Sequence, residues 1–119
     1  MTKAEILYPS HNKNIPQKFI VSLYLNPNIT MNDINKYYMK IYELDIPNNI
    51  NIDNEESLHK YLEELFSLFN SEQNPLSTTD LQEKIKINKL HTSMSMGDVV
   101  KIMNNYYFVS GFGFKKIIN

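Results

Sequence analysis

The 119-residue chain contains no cysteine and no arginine, and it has only three glycines. Without cysteine it can form neither disulfides nor thiolate metal sites, and it has no cysteine nucleophile. The absence of cysteine also suits a reducing cytoplasm. No apolar run is long enough to span a bilayer, and the N-terminus lacks the apolar core of a signal peptide. We therefore expect a cytoplasmic protein that makes no membrane contact.

The overall composition is that of a small globular domain. Apolar residues make up 42% of the chain and charged residues 21%, which argues against wholesale disorder. The length is sufficient for one modest hydrophobic core. We predict a single domain that spans residues 1–119.

The net charge of −1 conceals an uneven distribution along the chain. Residues 1–42 carry five lysines and two acids, a net charge of +3. Residues 43–80 carry nine acids and one lysine, a net charge of −8. Residues 81–119 carry six lysines and two acids, a net charge of +4. An acidic middle therefore lies between two mildly basic ends.

The clearest secondary-structure signal is an amphipathic helix at residues 55–70, EESLHKYLEELFSLFN. Its apolar residues recur with helical spacing and form one continuous stripe. The members of this stripe are Leu58, Tyr61, Leu62, Leu65, Phe66 and Phe69. Asp53 stands three residues before Glu56, which is a variant of the capping-box spacing.

Other segments give shorter or weaker signals. The β-branched and aromatic run at 18–25 predicts a strand, and the alternating run at 38–46 predicts another. Between them, Thr30 and an acid in the next turn predict a short helix at about 31–37. Residues 77–90 are ambiguous, because their second half alternates like a strand. A helical turn from about 79 to 85 is favoured there.

All three glycines lie in the last third of the chain, within a predicted β-hairpin. Gly97 and Asp98 form a turn pair that leads into a strand at 99–103. Asn104 and Asn105 suit a two-residue hairpin turn, because asparagine tolerates positive φ. A second strand at 106–110 is followed by a bend or bulge at Gly111-Phe112-Gly113, which lacks the lysine signature of a phosphate loop.

These elements predict an α+β fold. In it, a small antiparallel sheet combines N-terminal strands with the C-terminal β-hairpin. The sheet packs on one main amphipathic helix, at residues 55–70.

Several short motifs together resemble the YodL-like family. They are LEELFSLFN at 62–70 with Pro75, TSMSMGDVV at 92–100, and YYFVSGFGF at 106–114 followed by KKI. The resemblance covers about residues 55–118. The family comprises small proteins of Firmicute plasmids, conjugative elements and phages. The resemblance therefore implies an accessory protein of a mobile genetic element, and it implies no reaction.

The candidate catalytic residue types are scattered or poorly arranged. His91, Ser93, Ser95 and Asp98 are the residue types of a catalytic triad, but a short turn rarely supplies triad geometry. A structural role for these side chains is favoured, although a concave pocket joining His91 to Asp98 would favour a small hydrolase. On the predicted helix, His59 and Glu63 alone do not make a metal site. We predict no enzyme activity, no metal and no cofactor.

The leading functional hypothesis is a protein that acts by binding another protein. Its anticipated contact residues are Glu55, Glu56, Glu63 and Glu64, at the edge of the apolar stripe. A basic, nucleic-acid-binding host protein is the partner class that such charge suits. Inhibition of a host defence nuclease, of the anti-restriction or anti-CRISPR type, is one version of this hypothesis.

The alternative hypothesis is a nucleic-acid-binding accessory module. Lysines and aromatic residues interleave near the C-terminus, a pattern typical of single-strand binding. The candidate residues are Lys101, Lys115, Lys116 and Tyr107. The absence of arginine and the slightly acidic chain weigh against this alternative.

Overall fold

A computed structural model of the protein describes residues 2–118. Within them, one antiparallel sheet has the strand order β2-β1-β3-β4-β5. The strands are β1 (Lys3–Pro9), β2 (Tyr38–Asp45), β3 (Val99–Ile102), β4 (Asn105–Ser110) and β5 (Gly113–Lys116). The helices are α1 (Gln17–Leu25), α2 (Met31–Tyr37), α3 (Glu55–Leu68) and α4 (Thr79–Ile87), with short 3-10 turns at His11–Lys13 and Pro75–Ser77. The predicted α+β fold is confirmed.

Helices cover both faces of the sheet, which creates two hydrophobic clusters. On the face that we call the front, Ile6 and Tyr107 pack with Leu62 of α3 and with α4. On the back face, Leu7 and Phe108 pack with α1 and α2. The alternation of side chains along each strand produces this division.

Strand β1 lies inside the sheet, because it pairs with β2 on one side and with β3 on the other. Its residues Ile6, Leu7 and Tyr8 are all buried. These three residues form a short apolar patch in the sequence, where no strand was predicted before residue 18. A strand that is covered on both faces has a continuous apolar run instead of alternation, and so short a run gives a weak signal.

The predicted strand at 18–25 is wrong, because Gln17–Leu25 is helix α1. The β-branched and aromatic residues of this segment favour a strand locally. However, Phe19 and Leu23 are four residues apart, and both pack in the cluster on the back face. This contact requires helical spacing, so tertiary packing outweighs the local preference.

The main helix is confirmed, with slightly different ends. It spans Glu55–Leu68, and its N-cap is Asn54, whose side chain accepts a hydrogen bond from the Ser57 amide. The capping-box role suggested for Asp53 is therefore wrong. Five of the six stripe residues are buried and Phe66 is partly buried against the same cluster.

The remaining predictions differ from the structure mainly at element boundaries. Helix α2 is confirmed with a capping box between Thr30 and Asp33. Helix α4 extends to Ile87, two residues beyond the predicted helical turn, so the alternative strand does not form. The hairpin turn falls one residue early, because Ile102 pairs with Asn105 across the two strands.

None of the helices in residues 2–118 combines the length and apolar character needed to cross a membrane. The longest, α3, has 14 residues.

Truncation of Leu62 should destabilise the fold strongly. Its side chain has no exposed surface, so Leu62→Ala should lower the free energy of unfolding by about 2–5 kcal/mol in urea melts. As a control, Ser67→Ala on the exposed side of α3 should change it by less than about 0.5 kcal/mol. A loss below about 1 kcal/mol for Leu62→Ala would mean that the buried face of α3 is misassigned.

Gly97 should tolerate no side chain. Its φ is +89°, and a Cβ atom there would lie 2.6 Å from Leu23 Cδ2. Gly97→Val should therefore destabilise the protein by more than about 2 kcal/mol, from overpacking and backbone strain together. Gly111→Val is the matched control, because the nearest atom to a Cβ there is 4.0 Å away. Equal melting temperatures for the two variants would show that neither φ nor the contact with Leu23 constrains Gly97.

Candidate functional site

The acidic face of α3, which consists of Glu55, Glu56, Glu63 and Glu64, is exposed throughout. Glu56 and Glu63 lie almost in line, because seven residues make nearly two helical turns. The two acids of the first turn, Glu55 and Glu56, also interact favourably with the positive end of the helix dipole. Among the described residues, none of these four carboxylates forms a salt bridge.

Charges on the open part of the back face are, in contrast, paired with one another. Glu5 lies 3.7 Å from Lys40 and 3.8 Å from Lys101. Lys3 contacts Asp45 at 2.8 Å across the β1–β2 ladder. This surface therefore largely neutralises itself, whereas the acidic face of α3 keeps its negative charge.

An apolar cavity of about 250 Å³ adjoins the acidic face of α3. Its lining includes Glu63 and Phe66 from the helix and Val109 and Phe114 from the β4–β5 hairpin. Phe112, at the tip of this hairpin, is 98% exposed. The tip is held by Ser110 Oγ, which donates a hydrogen bond to the Gly113 carbonyl at 2.7 Å. Acidic and apolar groups thus lie side by side on this surface.

The four candidate nucleic-acid-binding residues do not share one surface. Lys115 and Lys116 are paired with Phe108 and Tyr107, which face opposite sides of the sheet. Tyr107 is buried, with 5% exposure, so its ring cannot stack on a base. Lys101 is engaged with Glu5 and lies 5.4 Å from the centre of the Tyr106 ring.

A second polar cluster surrounds the buried carboxylate of Asp98. Asp98 Oδ2 accepts a hydrogen bond from the Ser95 amide at 2.7 Å and lies 2.7 Å from His91 Nε2. The imidazole stacks on the Tyr8 ring, with centroids 4.2 Å apart. These contacts fasten the loop that precedes β3.

The cluster does not have the geometry of a Ser-His-Asp triad. In such a triad the serine bonds to the imidazole nitrogen that the acid leaves free. Here Ser95 Oγ instead lies 3.4 Å from the Asp98 carboxylate, and Ser93 has no described hydrogen bond to His91. The arrangement orders the loop that precedes β3.

Burial controls the ionisation of this cluster. It raises the pKa of the Asp98 carboxyl, and the bonds from His91 and Ser95 oppose that shift without cancelling it. Burial, followed by the charge of Asp98, also raises the pKa of Tyr8 and Tyr38. Both tyrosines consequently remain neutral hydrogen-bond donors, Tyr8 to the Thr92 carbonyl and Tyr38 to the Gly97 carbonyl.

No metal site is evident in the part of the chain that the structure describes, since no three histidine or acidic side chains converge there. His59 packs edge-on against Tyr107.

Comparison with known proteins finds one viral relative. An uncharacterized protein, R785, of Acanthamoeba polyphaga mimivirus is 46% identical over 82 residues, which cover 69% of this chain and 70% of the relative. The chain belongs to the family of this mimivirus protein. No protein-family model and no solved structure matches the chain.

The resemblance to the YodL-like family is therefore wrong. No family model supports it, and the mimivirus relative has no link to Firmicute plasmids or phages. The shared motifs consist of an amphipathic helix stripe and a glycine-containing hairpin. Many unrelated small domains need both features for packing, so their order and spacing gave a false match.

Two features of the exposed surface were not predicted from the sequence. One is the protruding Phe112, whose position between two glycines was a usable signal of its exposure. The other is the outer side of α1, where Val21, Tyr24 and Leu25 are exposed. These three side chains lie on one side of the segment because it is a helix, so a strand prediction could not place them together.

Because the pKa of Asp98 is raised, the native state keeps its proton at pH values where the unfolded chain has lost it. The contribution of Asp98 to stability should therefore fall as the pH rises from about 4 towards 7. The free energy of unfolding of the wild type, minus that of Asp98→Asn, should decrease over this range in urea melts. A difference that grows with pH would show instead that the ionised pair with His91 is net stabilising.

Proposed function

We propose that this protein acts by binding a protein partner, and that the acidic face of α3 contacts a basic surface of that partner. One observation carries the proposal. The four glutamates of this face are exposed and lack salt bridges among the described residues, whereas the acids of β1 and β2 on the back face pair with Lys3, Lys40 and Lys101. Negative charge that is left uncompensated on one side attracts a basic partner and orients its approach.

The neighbouring apolar groups supply binding affinity that exposed charges alone do not. Exposed charge pairs contribute little affinity, whereas buried aromatic anchors often dominate an interface. Phe112 is an exposed aromatic group at the tip of the β4–β5 hairpin, and its neighbours Gly111 and Gly113 line the 250 Å³ cavity. We therefore assign the approach to the acidic face of α3 and the lasting contact to Phe112 and the cavity.

The partner suggested by this chemistry is a protein with a basic surface that also presents apolar groups. A nucleic-acid channel of a host nuclease has such a surface, so inhibition of a defence nuclease in the cytoplasm remains part of the proposal. The charge of α3 alone supports that version, because the resemblance to mobile-element proteins does not hold.

Charge reversal on α3 should slow association. The partner is first obtained by co-purification with the tagged chain from its own host, and binding is then measured with both proteins purified. Glu56→Lys combined with Glu63→Lys should reduce the association rate, with a larger effect at low salt, since the screening length is about 10 Å at 0.1 M. Phe112→Ala should chiefly raise the dissociation rate.

The matched control reverses charge on the basic side. Lys115→Glu combined with Lys116→Glu should leave partner binding and the melting temperature nearly unchanged, because both positions are exposed. The glutamate variant should stay folded and lose only a few degrees in melting temperature, because both glutamates are exposed but Glu56 lies in the first turn of α3, where an acid interacts favourably with the helix dipole. The nucleic-acid hypothesis predicts the opposite pattern. Tight wild-type binding to single-stranded DNA that is lost only in the lysine variant would overturn the proposal.

A further inference from the structure

The 250 Å³ cavity lies between α3 and the β4–β5 hairpin. Val109 and Phe114 line it and are buried, whereas Phe66 is only partly buried and offers accessible aromatic surface. The volume is several times the ~30 Å³ that one water molecule takes in the liquid. One long side chain therefore fits in this space, whereas a helix about 10 Å across does not.

One charged group, the carboxylate of Glu63, stands at the edge of the cavity. Glu63 is exposed, and its Oε1 atom lies 3.1 Å from the position that a Cβ atom on Gly113 would take. Because Gly113 also lines the cavity, this carboxylate reaches across from α3 to the hairpin. Glu63 forms no salt bridge within residues 2–118, so its carboxylate is accessible to a ligand.

These surroundings favour a guanidinium group over other charged groups. Guanidinium is planar and weakly hydrated, stacks on aromatic rings, and donates two parallel hydrogen bonds to one carboxylate. An ammonium group is compact and strongly hydrated, and it binds a carboxylate as a point charge. Anions are repelled by Glu63 and by the other glutamates of the acidic face of α3.

We propose that the cavity receives an arginine side chain of the protein partner, with its guanidinium group on the carboxylate of Glu63 and its aliphatic stem against Phe66. The inference rests on the proposed function, in which the acidic face of α3 attracts a basic surface to this side of the molecule. The chain itself contains no arginine, so the group comes from another molecule. Phe112, whose neighbours Gly111 and Gly113 line the cavity, would contact the partner next to this arginine.

The first test uses the full chain alone and requires no partner. The chain labelled with ¹⁵N is titrated with acetyl-Gly-Arg-Gly-amide and with matched peptides that carry citrulline or lysine in place of arginine. The arginine peptide should produce saturable amide shifts at Glu63, Val109 and Gly113 at millimolar concentrations, as expected for a single side chain.

The matched peptides separate charge from shape. Citrulline has nearly the shape of arginine but no charge, so its peptide should bind at least about threefold more weakly, a modest factor because the carboxylate is exposed. The lysine peptide keeps the charge but lacks the planar group, so it should also bind more weakly than the arginine peptide.

Three variants locate the effect. Glu63→Gln should weaken binding of the arginine peptide about threefold or more and remove its advantage over the citrulline peptide. The exposed position of Glu63 means that this variant should stay folded. Phe66→Leu keeps an apolar wall without an aromatic ring, so it should lower the affinity about twofold or more. Glu83→Gln, at an exposed acid of α4, should change nothing.

Competition with the partner tests the source of the arginine. At a saturating concentration the arginine peptide should reduce binding of the purified partner, and the citrulline peptide at the same concentration should reduce it less. Partner binding that is unaffected by the saturating arginine peptide would show that no partner side chain occupies the cavity.

Other results would also overturn the proposal. They are the absence of saturable shifts, equal affinity for the citrulline peptide, equal or tighter binding of the lysine peptide, or unchanged affinity in Glu63→Gln. Failure of the proposed function looks different. If charge reversal on α3 slows partner association but the arginine peptide does not bind, only the inference about the cavity fails. If the peptide binds but charge reversal leaves partner association unchanged, the proposed function fails.

Discussion

The junction at Gly97 and Asp98 connects α1, β2 and the loop that precedes β3. Gly97 adopts positive φ and lies against Leu23 of α1, where no side chain fits. Its carbonyl accepts a hydrogen bond from the hydroxyl of Tyr38 in β2, with an oxygen–oxygen distance of 2.5 Å. The next side chain, Asp98, turns into the protein and holds His91. The placement of α1, the edge strand β2 and the loop before β3 therefore depends on one backbone conformation that only glycine adopts readily.

Charge is organised differently on the two sides of the molecule. On the open part of the back face, cross-strand pairing brings acids and lysines together, so their fields largely cancel. On α3 the exposed positions are mostly glutamate, and Lys60 is the one opposite charge between Glu55 and Leu68. A chain with a net charge of only −1 thereby retains one distinctly acidic surface.

Segments with a local signal were predictable from the sequence, and segments that depend on distant contacts were not. Helix α3 was predictable because its stripe repeats over several turns, and α2 because Thr30 and Asp33 form a local capping box. The run in α1 was misassigned, since its helical state depends on contacts made by Phe19 and Leu23 with distant strands. The YodL-like resemblance failed for a related reason: its motifs report packing needs and not ancestry.

The sequence by itself determined the α+β class, the position of the main helix and the acidic character of its exposed side. These properties follow from periodicity and composition, which act within a few turns of the chain. Only the tertiary structure decided which charges are paired, that Phe112 protrudes, and that one carboxyl oxygen of Asp98 is buried without a hydrogen-bond partner among residues 2–118. Those properties arise between residues far apart in the chain, where sheet order and register set the distances.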